Sequence, residues 1–230
     1  KIQQLMIFFS LLIPDMTNEE EQMLDEALIK TYNEFGITHD NNSLYADATC
    51  FPPKLKKMPI LGDLHKHLLE NPMTTRIAAI VSRFVTGSAQ SFNRQTNVDL
   101  TNKYIVLDLS ELKGKLLPVG MMIALDYVWD NIKADRVKKK AIMIDEIWQL
   151  IGASSNKLAA EFCLEIFKVI RGYGGAAIAA TQDLSDFFSL DDGKYGRAII
   201  NNSKNKIILN LEQDEAQYVK DVLKLTRTEV

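Results

Sequence analysis

Two adjacent carboxylates, Asp145 and Glu146, directly follow the short apolar run Ala141 to Ile144. The run is too short for a buried helix and suits a strand that is covered on both faces. Ligands of open α/β sheets bind beyond the carboxyl ends of the strands, so such a strand delivers both acids to a binding edge. There the first acid can hold Mg²⁺ through a water, and the second can orient or deprotonate an attacking water. The pattern predicts the Walker B strand of a nucleoside triphosphatase with its catalytic glutamate.

A neutral polar residue, Gln182, follows a second apolar run, Ala176 to Ala180, with Thr181 between them. If the two predicted strands are neighbours, Gln182 lies at the same edge as Asp145 and Glu146. A glutamine amide can donate a hydrogen bond to a γ-phosphate oxygen or hold the lytic water, which suits a sensor. For both motifs the alternative interpretation is that the polar residues cap the helices that follow.

Two arginines, Arg171 and Arg197, are candidates for contacting phosphate. A planar guanidinium at a subunit edge can neutralise charge in a neighbour's phosphoryl-transfer transition state. Arg171 ends a predicted helix, so it also has a simpler explanation in the helix dipole. The chemistry of the residues does not choose between these two arginines.

The sequence contains no loop of the type that cradles phosphates, Gly-x-x-x-x-Gly-Lys-Ser/Thr. Its Gly-Lys pairs are Gly114–Lys115 and Gly193–Lys194, and neither has the preceding glycine or the following serine or threonine. We therefore expect the 230 residues alone to bind nucleotide weakly and to turn over essentially none.

The amino-terminal part, residues 1–90, has helical patterns without strand alternation and predicts an α-helical subdomain. Thr17 to Glu20 forms a capping box, and Gly36 ends the helix that it opens. Residues 37–59 are expected to form a long loop, with helices at 60–70 and 73–85. His65 and His67 do not share a helix face, so we expect a solvated pair rather than a metal site.

In residues 91–230 strands alternate with helices, which implies βαβ units and a mostly parallel sheet. The predicted strands are 104–108, 141–144, 176–180 and 206–211, and the predicted helices are 115–131, 154–171 and 213–224. The expected fold class is α/β, carboxyl-terminal to an α-helical insertion.

Composition sets further limits. A net charge of −3 gives no overall electrostatic case for nucleic-acid binding, and Lys138 to Lys140 is expected to be a solvated loop before a strand. Cys50 and Cys163 have no metal-binding spacing, so we expect free thiols and a reducing compartment. The apolar run Leu5 to Ile13 is too short to cross a bilayer and has helical spacing, so the chain is expected to begin inside an element of a longer protein.

Several of these segments together resemble one family of ATPases. They are Ile142 to Trp148, Arg171 to Gly175 and Ala179 to Gln182, together with Arg83 to Gly87 and Asn97 to Ser110. They are similar to the carboxyl-terminal half of the conjugative-transfer ATPases of type IV secretion systems, the TraC/TrwK-type members of the HerA/FtsK branch of P-loop ATPases.

The resemblance implies a RecA-like core that uses ATP and Mg²⁺, with the phosphate-binding loop upstream of this sequence. It implies that Asp145 is the Walker B magnesium residue, Glu146 the catalytic base and Gln182 the sensor, with Arg171 acting across a subunit interface. It further implies a hexamer that works with secretion-channel and coupling proteins at the cytoplasmic face of the membrane. Two alternatives stay open, a DNA-translocating or coupling ATPase and a non-catalytic assembly module of the secretion apparatus.

Overall fold

The computed structural model describes residues 2–49, 54–97, 102–114, 116–153, 155–182, 184–209, 211 and 213–224. The chain divides into two compact units, Lys1–Val106 and Leu107–Val230. This division falls later along the chain than the expected end of the helical subdomain at residue 90.

The first unit is mainly helical over its described residues. Its helices are α1 (Ile2–Leu12), α2 (Asn18–Glu34), α3 (Leu61–Glu70) and α4 (Thr75–Val85). The predicted capping box is confirmed, because Thr17 Oγ1 accepts from the Glu20 N–H at 3.2 Å and the Glu20 carboxylate accepts from the Thr17 N–H at 3.0 Å. Gly36, with φ 67°, follows the end of α2. The apolar faces of these helices form the core, which includes Phe9, Leu24, Leu28, Leu68, Ile77, Val81 and Phe84.

Two sequence expectations for this unit are wrong. The expected loop at 37–59 contains a short antiparallel pair, β1 (Tyr45–Asp47) and β2 (Lys54–Leu55). Strands of three and two residues leave no detectable alternation in a sequence. His67 is not solvated, since it is only 7% exposed and its Nε2 lies 3.0 Å from a Glu34 carboxylate oxygen. It lies one helical turn from the buried Leu64, so packing of α3 against α2 buries it as well.

The second unit contains the expected parallel strands. Its elements are α5 (Leu116–Ala134), β3 (Lys140–Ile144), α6 (Trp148–Ile151), α7 (Lys157–Val169), β4 (Gly175–Ala179), α8 (Leu184–Phe187), α9 (Lys194–Asn202) and α10 (Gln213–Leu223). β3 and β4 pair in parallel, with Lys140 opposite Gly175 and Ile144 opposite Ala179. On one face of this sheet Ile142 and Ile144 are buried in the core, whereas Met143 on the other face is exposed.

Two other predicted strands do not form among the described residues. Residues 104–108 and 206–209 have no strand conformation, and Tyr104 and Ile207 are 86% and 88% exposed. An apolar run supplies strand propensity, but a strand exists only where a neighbouring backbone completes the hydrogen-bond ladder. No described segment completes a ladder with either run, so the predictions are wrong for residues 104–108 and 206–209, and Asn210 lies outside the described residues.

The amino edge of the β3–β4 sheet is tied to α5. Lys140 is not a solvated residue, because its Nζ donates to the backbone oxygens of Ile132, at 2.6 Å, and of Asp135. Tyr173, in the 3₁₀ turn before β4, packs edge-to-face on Trp129, with the two ring centroids 5.4 Å apart. These contacts fix the start of both strands against the end of α5.

Within the described residues, none of the helices has the length and apolar character that a membrane crossing requires.

Candidate functional site

The carboxyl edge of the β3–β4 sheet brings the turn that carries the predicted acids next to the segment that leads to the predicted sensor. Beyond the last paired residues, the Ala180 N–H donates to the Ile144 oxygen at 2.9 Å, and the Ile147 N–H donates to the Ala180 oxygen at 3.1 Å. These two bonds hold the turn at Asp145 and Glu146 beside the start of the segment after β4. The expectation that the two strands are neighbours is confirmed. The catalytic roles of the residues at this edge stay predictions.

Glu146 has a backbone conformation that few non-glycine residues adopt. Its φ is 50°, in the left-handed region, which costs about 1–2 kcal/mol for a residue with a side chain. Its N–H donates to Asp145 Oδ1 at 3.0 Å, and its carbonyl oxygen accepts from the Gln149 N–H at 3.0 Å. Strained backbone of this kind persists only where its surroundings hold it, and it clusters at functional sites.

The side chain of Glu146 is also held. The indole Nε1–H of Trp148 donates to Glu146 Oε2, and both side chains are half-buried. Sequence reasoning gave Trp148 no role, although it stands two residues after the acid. The only local signal was an aromatic residue with an N–H donor at the first position of the following helix.

Asp145 and Gln182 are exposed at this edge. Among the described residues, the one hydrogen bond of the Asp145 carboxylate is the bond that Oδ1 accepts from Glu146. A single exposed carboxylate is a hard oxygen donor, and Mg²⁺ in nucleotide sites takes one or two carboxylates with waters and phosphates. The donor set therefore fits Mg²⁺ held through Asp145, and Gln182 follows β4 at the same edge of the sheet.

The two arginines lie elsewhere. Arg171 is exposed in the 3₁₀ turn Ile170–Tyr173, which precedes β4 and therefore stands at the amino edge of the sheet. The five residues of β4 separate the two edges by roughly 13 Å at about 3.3 Å per residue. The structure does not bring Arg171 to Glu146 within one chain. Arg197 is exposed on α9, and its Nη1 lies 3.1 Å from the position that a Cβ at Gly193 would occupy.

The Gly193–Lys194 pair has a different role from a phosphate-binding loop. Asp191, Asp192 and Gly193 all have positive φ, and the Lys194 amine lies 3.7 Å from the Asp191 carboxylate. The hydrogen bond from Lys157 and the charges of both lysines lower the pKa of Asp191. Lys194 therefore pairs with a carboxyl group whose ionised form is favoured.

Comparisons with known proteins agree on one family. A family model described as the TraG P-loop domain matches residues 72–230. Protein TraC of Escherichia coli strain K12 is 33% identical over 116 residues, which make up 49% of this chain and 13% of TraC. The structure of VirB4 of Thermoanaerobacter pseudethanolicus has a TM-score of 0.85 and 25% identity, and the match covers 99% of this chain and 61% of that chain. The VirB4 match confirms the expected α/β class with a RecA-like core, and the chain spans less than two thirds of either relative.

Proposed function

We propose, from the premise that this chain belongs to the TraG P-loop domain family, that it is part of an ATPase whose ATP hydrolysis powers type IV secretion. The process served is conjugative transfer of DNA and protein, or pilus biogenesis. Similarity to TraC and VirB4 supports this proposal, as does the resemblance in the motifs around Asp145 and Gln182.

The observation that carries the proposal is the shared carboxyl edge. The hydrogen bonds between Ile144, Ala180 and Ile147 hold the Asp145–Glu146 turn beside the segment that leads to Gln182. Bound Mg²⁺ supplies neutralisation of the phosphate charge. In this proposal Asp145 holds the ion through a water, and Glu146 orients and deprotonates the attacking water. Gln182 donates its amide hydrogen bond to the γ-phosphate side of the site.

The arginines act between subunits in this proposal. Arg171 lies at the opposite sheet edge from Glu146, so any contact with phosphate is made with the nucleotide of a neighbouring subunit. Arg197, exposed on α9, is the alternative for the same role. Either assignment requires a ring of copies, and we propose a hexamer that docks on channel and coupling proteins at the cytoplasmic face of the membrane.

The sequence holds no phosphate-binding loop, so the complete site needs residues outside these 230. We propose that this loop lies upstream in a longer parent protein, and that the isolated 230-residue chain has essentially no turnover. Magnesium-dependent hydrolysis by the isolated chain would contradict this part of the proposal.

The test is ATP turnover of the parent protein with Glu146→Gln. Loss of a water-activating group should lower kcat by roughly 10²–10⁴-fold and leave nucleotide binding intact. Glu165→Gln is the matched control, because Glu165 is an exposed glutamate on α7 and its loss should leave kcat unchanged. Equal turnover by the Glu146→Gln protein would reject the catalytic assignment, and absence of turnover in the unsubstituted parent would favour the non-catalytic assembly module.

A further inference from the structure

We propose that Trp148 is a positioning residue for Glu146, which its indole N–H holds in the orientation needed to activate water. This inference rests on the proposed function, because it assigns a task to Trp148 only if Glu146 activates water. The contact itself is independent of that function: Trp148 Nε1–H donates to Glu146 Oε2.

The backbone conformation of Glu146 is held independently of its side chain. Its N–H, its carbonyl oxygen and its left-handed φ of 50° are all set by the turn between β3 and α6. A glutamate side chain nevertheless retains several rotatable bonds beyond the Cα, and rotamer freedom opposes any single orientation. The hydrogen bond from Trp148 removes this remaining freedom.

The ring of Trp148 is suited to act as a fixed donor. Trp148 begins α6, in which Leu150 and Ile151 are buried, and its carbonyl oxygen accepts from the Gly152 N–H at 2.7 Å. Before Trp148, Ile147 is fully buried and its N–H donates to the Ala180 oxygen, so the backbone is anchored on both sides of the indole. An indole N–H is a donor only, so it can donate a hydrogen bond to a carboxylate oxygen but cannot accept the proton that Glu146 takes from water.

The arrangement leaves Glu146 able to act. Trp148 engages Oε2 alone, and a carboxylate has a second oxygen with its own lone pairs. Oε1 can thus accept from the attacking water while Oε2 stays fixed. Holding a catalytic group within hydrogen-bond reach of its target affects the chemical step rather than nucleotide affinity.

The test begins with Trp148→Phe in the parent protein, which keeps an aromatic ring and removes the N–H donor. We expect kcat to fall about 10- to 100-fold, the loss typical of one hydrogen bond to a charged group, with nucleotide affinity unchanged. Trp129→Phe is the matched control, since Trp129 packs on Tyr173 at the other edge of the sheet and should leave kcat within about twofold.

A double variant separates positioning from general damage. If Trp148 acts through Glu146, Trp148→Phe should cost little more in a Glu146→Gln protein, because the group that it positions is already inactive. A full additional loss in the double variant would overturn the proposal, and so would unchanged kcat in Trp148→Phe alone. Unchanged kcat in Glu146→Gln would instead reject the proposal that Glu146 activates water, and the positioning role of Trp148 would be rejected with it.

A spectroscopic measurement tests the contact without turnover. The 230-residue chain has two tryptophans, so its nitrogen-15 NMR spectrum should contain two indole N–H resonances, which Trp148→Phe assigns. Glu146→Ala should shift the Trp148 indole resonance and leave that of Trp129 in place. An unmoved Trp148 resonance would contradict the hydrogen bond. If the resonance shifts but the Glu146→Gln protein keeps wild-type turnover, the contact exists and the proposed function of Glu146 is wrong.

Discussion

Replacing Gly174 by alanine should destabilise the second unit by about 2–5 kcal/mol. Gly174 lies between the 3₁₀ turn and β4 with φ 71°, and a side chain in the left-handed region costs about 1–2 kcal/mol. An added Cβ would also meet the backbone oxygens of Arg136 at 2.8 Å and Lys138 at 3.2 Å. Relieving such contacts with backbone typically costs about 1–3 kcal/mol, which gives the total.

Gly172 supplies the matched control two residues earlier in the same turn. A Cβ at Gly172 meets no atom within 4 Å, so Gly172→Ala should change the free energy of unfolding by no more than about 0.5 kcal/mol. The pair separates the conformation of Gly174 from the general effect of adding a methyl group near β4.

Urea unfolding followed by tryptophan fluorescence is the appropriate assay. Trp129 and Trp148 are the two tryptophans of the chain and both lie in the second unit, and Trp129 packs on Tyr173 beside the substituted position. The comparison is valid where the denaturant slope is unchanged between variants. A Gly174→Ala protein within 1 kcal/mol of Gly172→Ala would refute both the left-handed conformation and the close approach to the loop after α5.

The remaining predictions concern the first unit and a buried thiol. The hydrogen bond from the Thr17 backbone, followed by the contact with Arg76, lowers the pKa of Glu20 below its ordinary value of 4.5. A carboxylate with a lowered folded-state pKa stabilises the fold above its unfolded pKa, and that contribution is lost as the pH falls through the folded value. Acid titration followed by circular dichroism should therefore show a shallower loss of folded helix below pH 4.5 for Glu20→Gln than for the unsubstituted protein, and an identical slope would contradict the lowered pKa of Glu20. Thr17→Ala should lower the free energy of unfolding of the first unit by about 1 kcal/mol, the usual value of an N-cap, in urea unfolding followed by circular dichroism. Burial raises the pKa of the Cys163 thiol to about 12, so in a Cys50→Ser background an aromatic disulfide reagent should label Cys163 only after unfolding, and rapid labelling of the native protein would refute its burial.

Local patterns in the sequence predicted a substantial part of the fold. The capping box at Thr17, the β3 run before Asp145 and the β4 run before Gln182 all form where the patterns indicate. Each depends on neighbours a few residues away, such as a side chain that caps its own helix or an apolar run bounded by polar residues. Signals of this kind are contained in the sequence itself.

Predictions that needed a distant partner were less successful. Residues 104–108 and 206–209 have the composition of strands, but strand formation depends on a neighbouring backbone that the runs themselves do not specify. The burial of His67 depends on the packing of α3 against α2, a contact between two helices that the sequence of α3 alone does not specify.

For the candidate site, the sequence by itself determined which groups are present and that both strands deliver them to a sheet edge. It placed Asp145, Glu146 and Gln182 directly after the predicted strands, because side-chain chemistry and the direction of the chain can both be read from the sequence. Only the tertiary structure decided that β3 and β4 are neighbours, that Glu146 adopts a left-handed backbone and that Trp148 holds its carboxylate. These features depend on how the turn packs between the sheet and the short helix α6. The contacts that determine this packing join residues of separate elements, and no local sequence pattern specifies them.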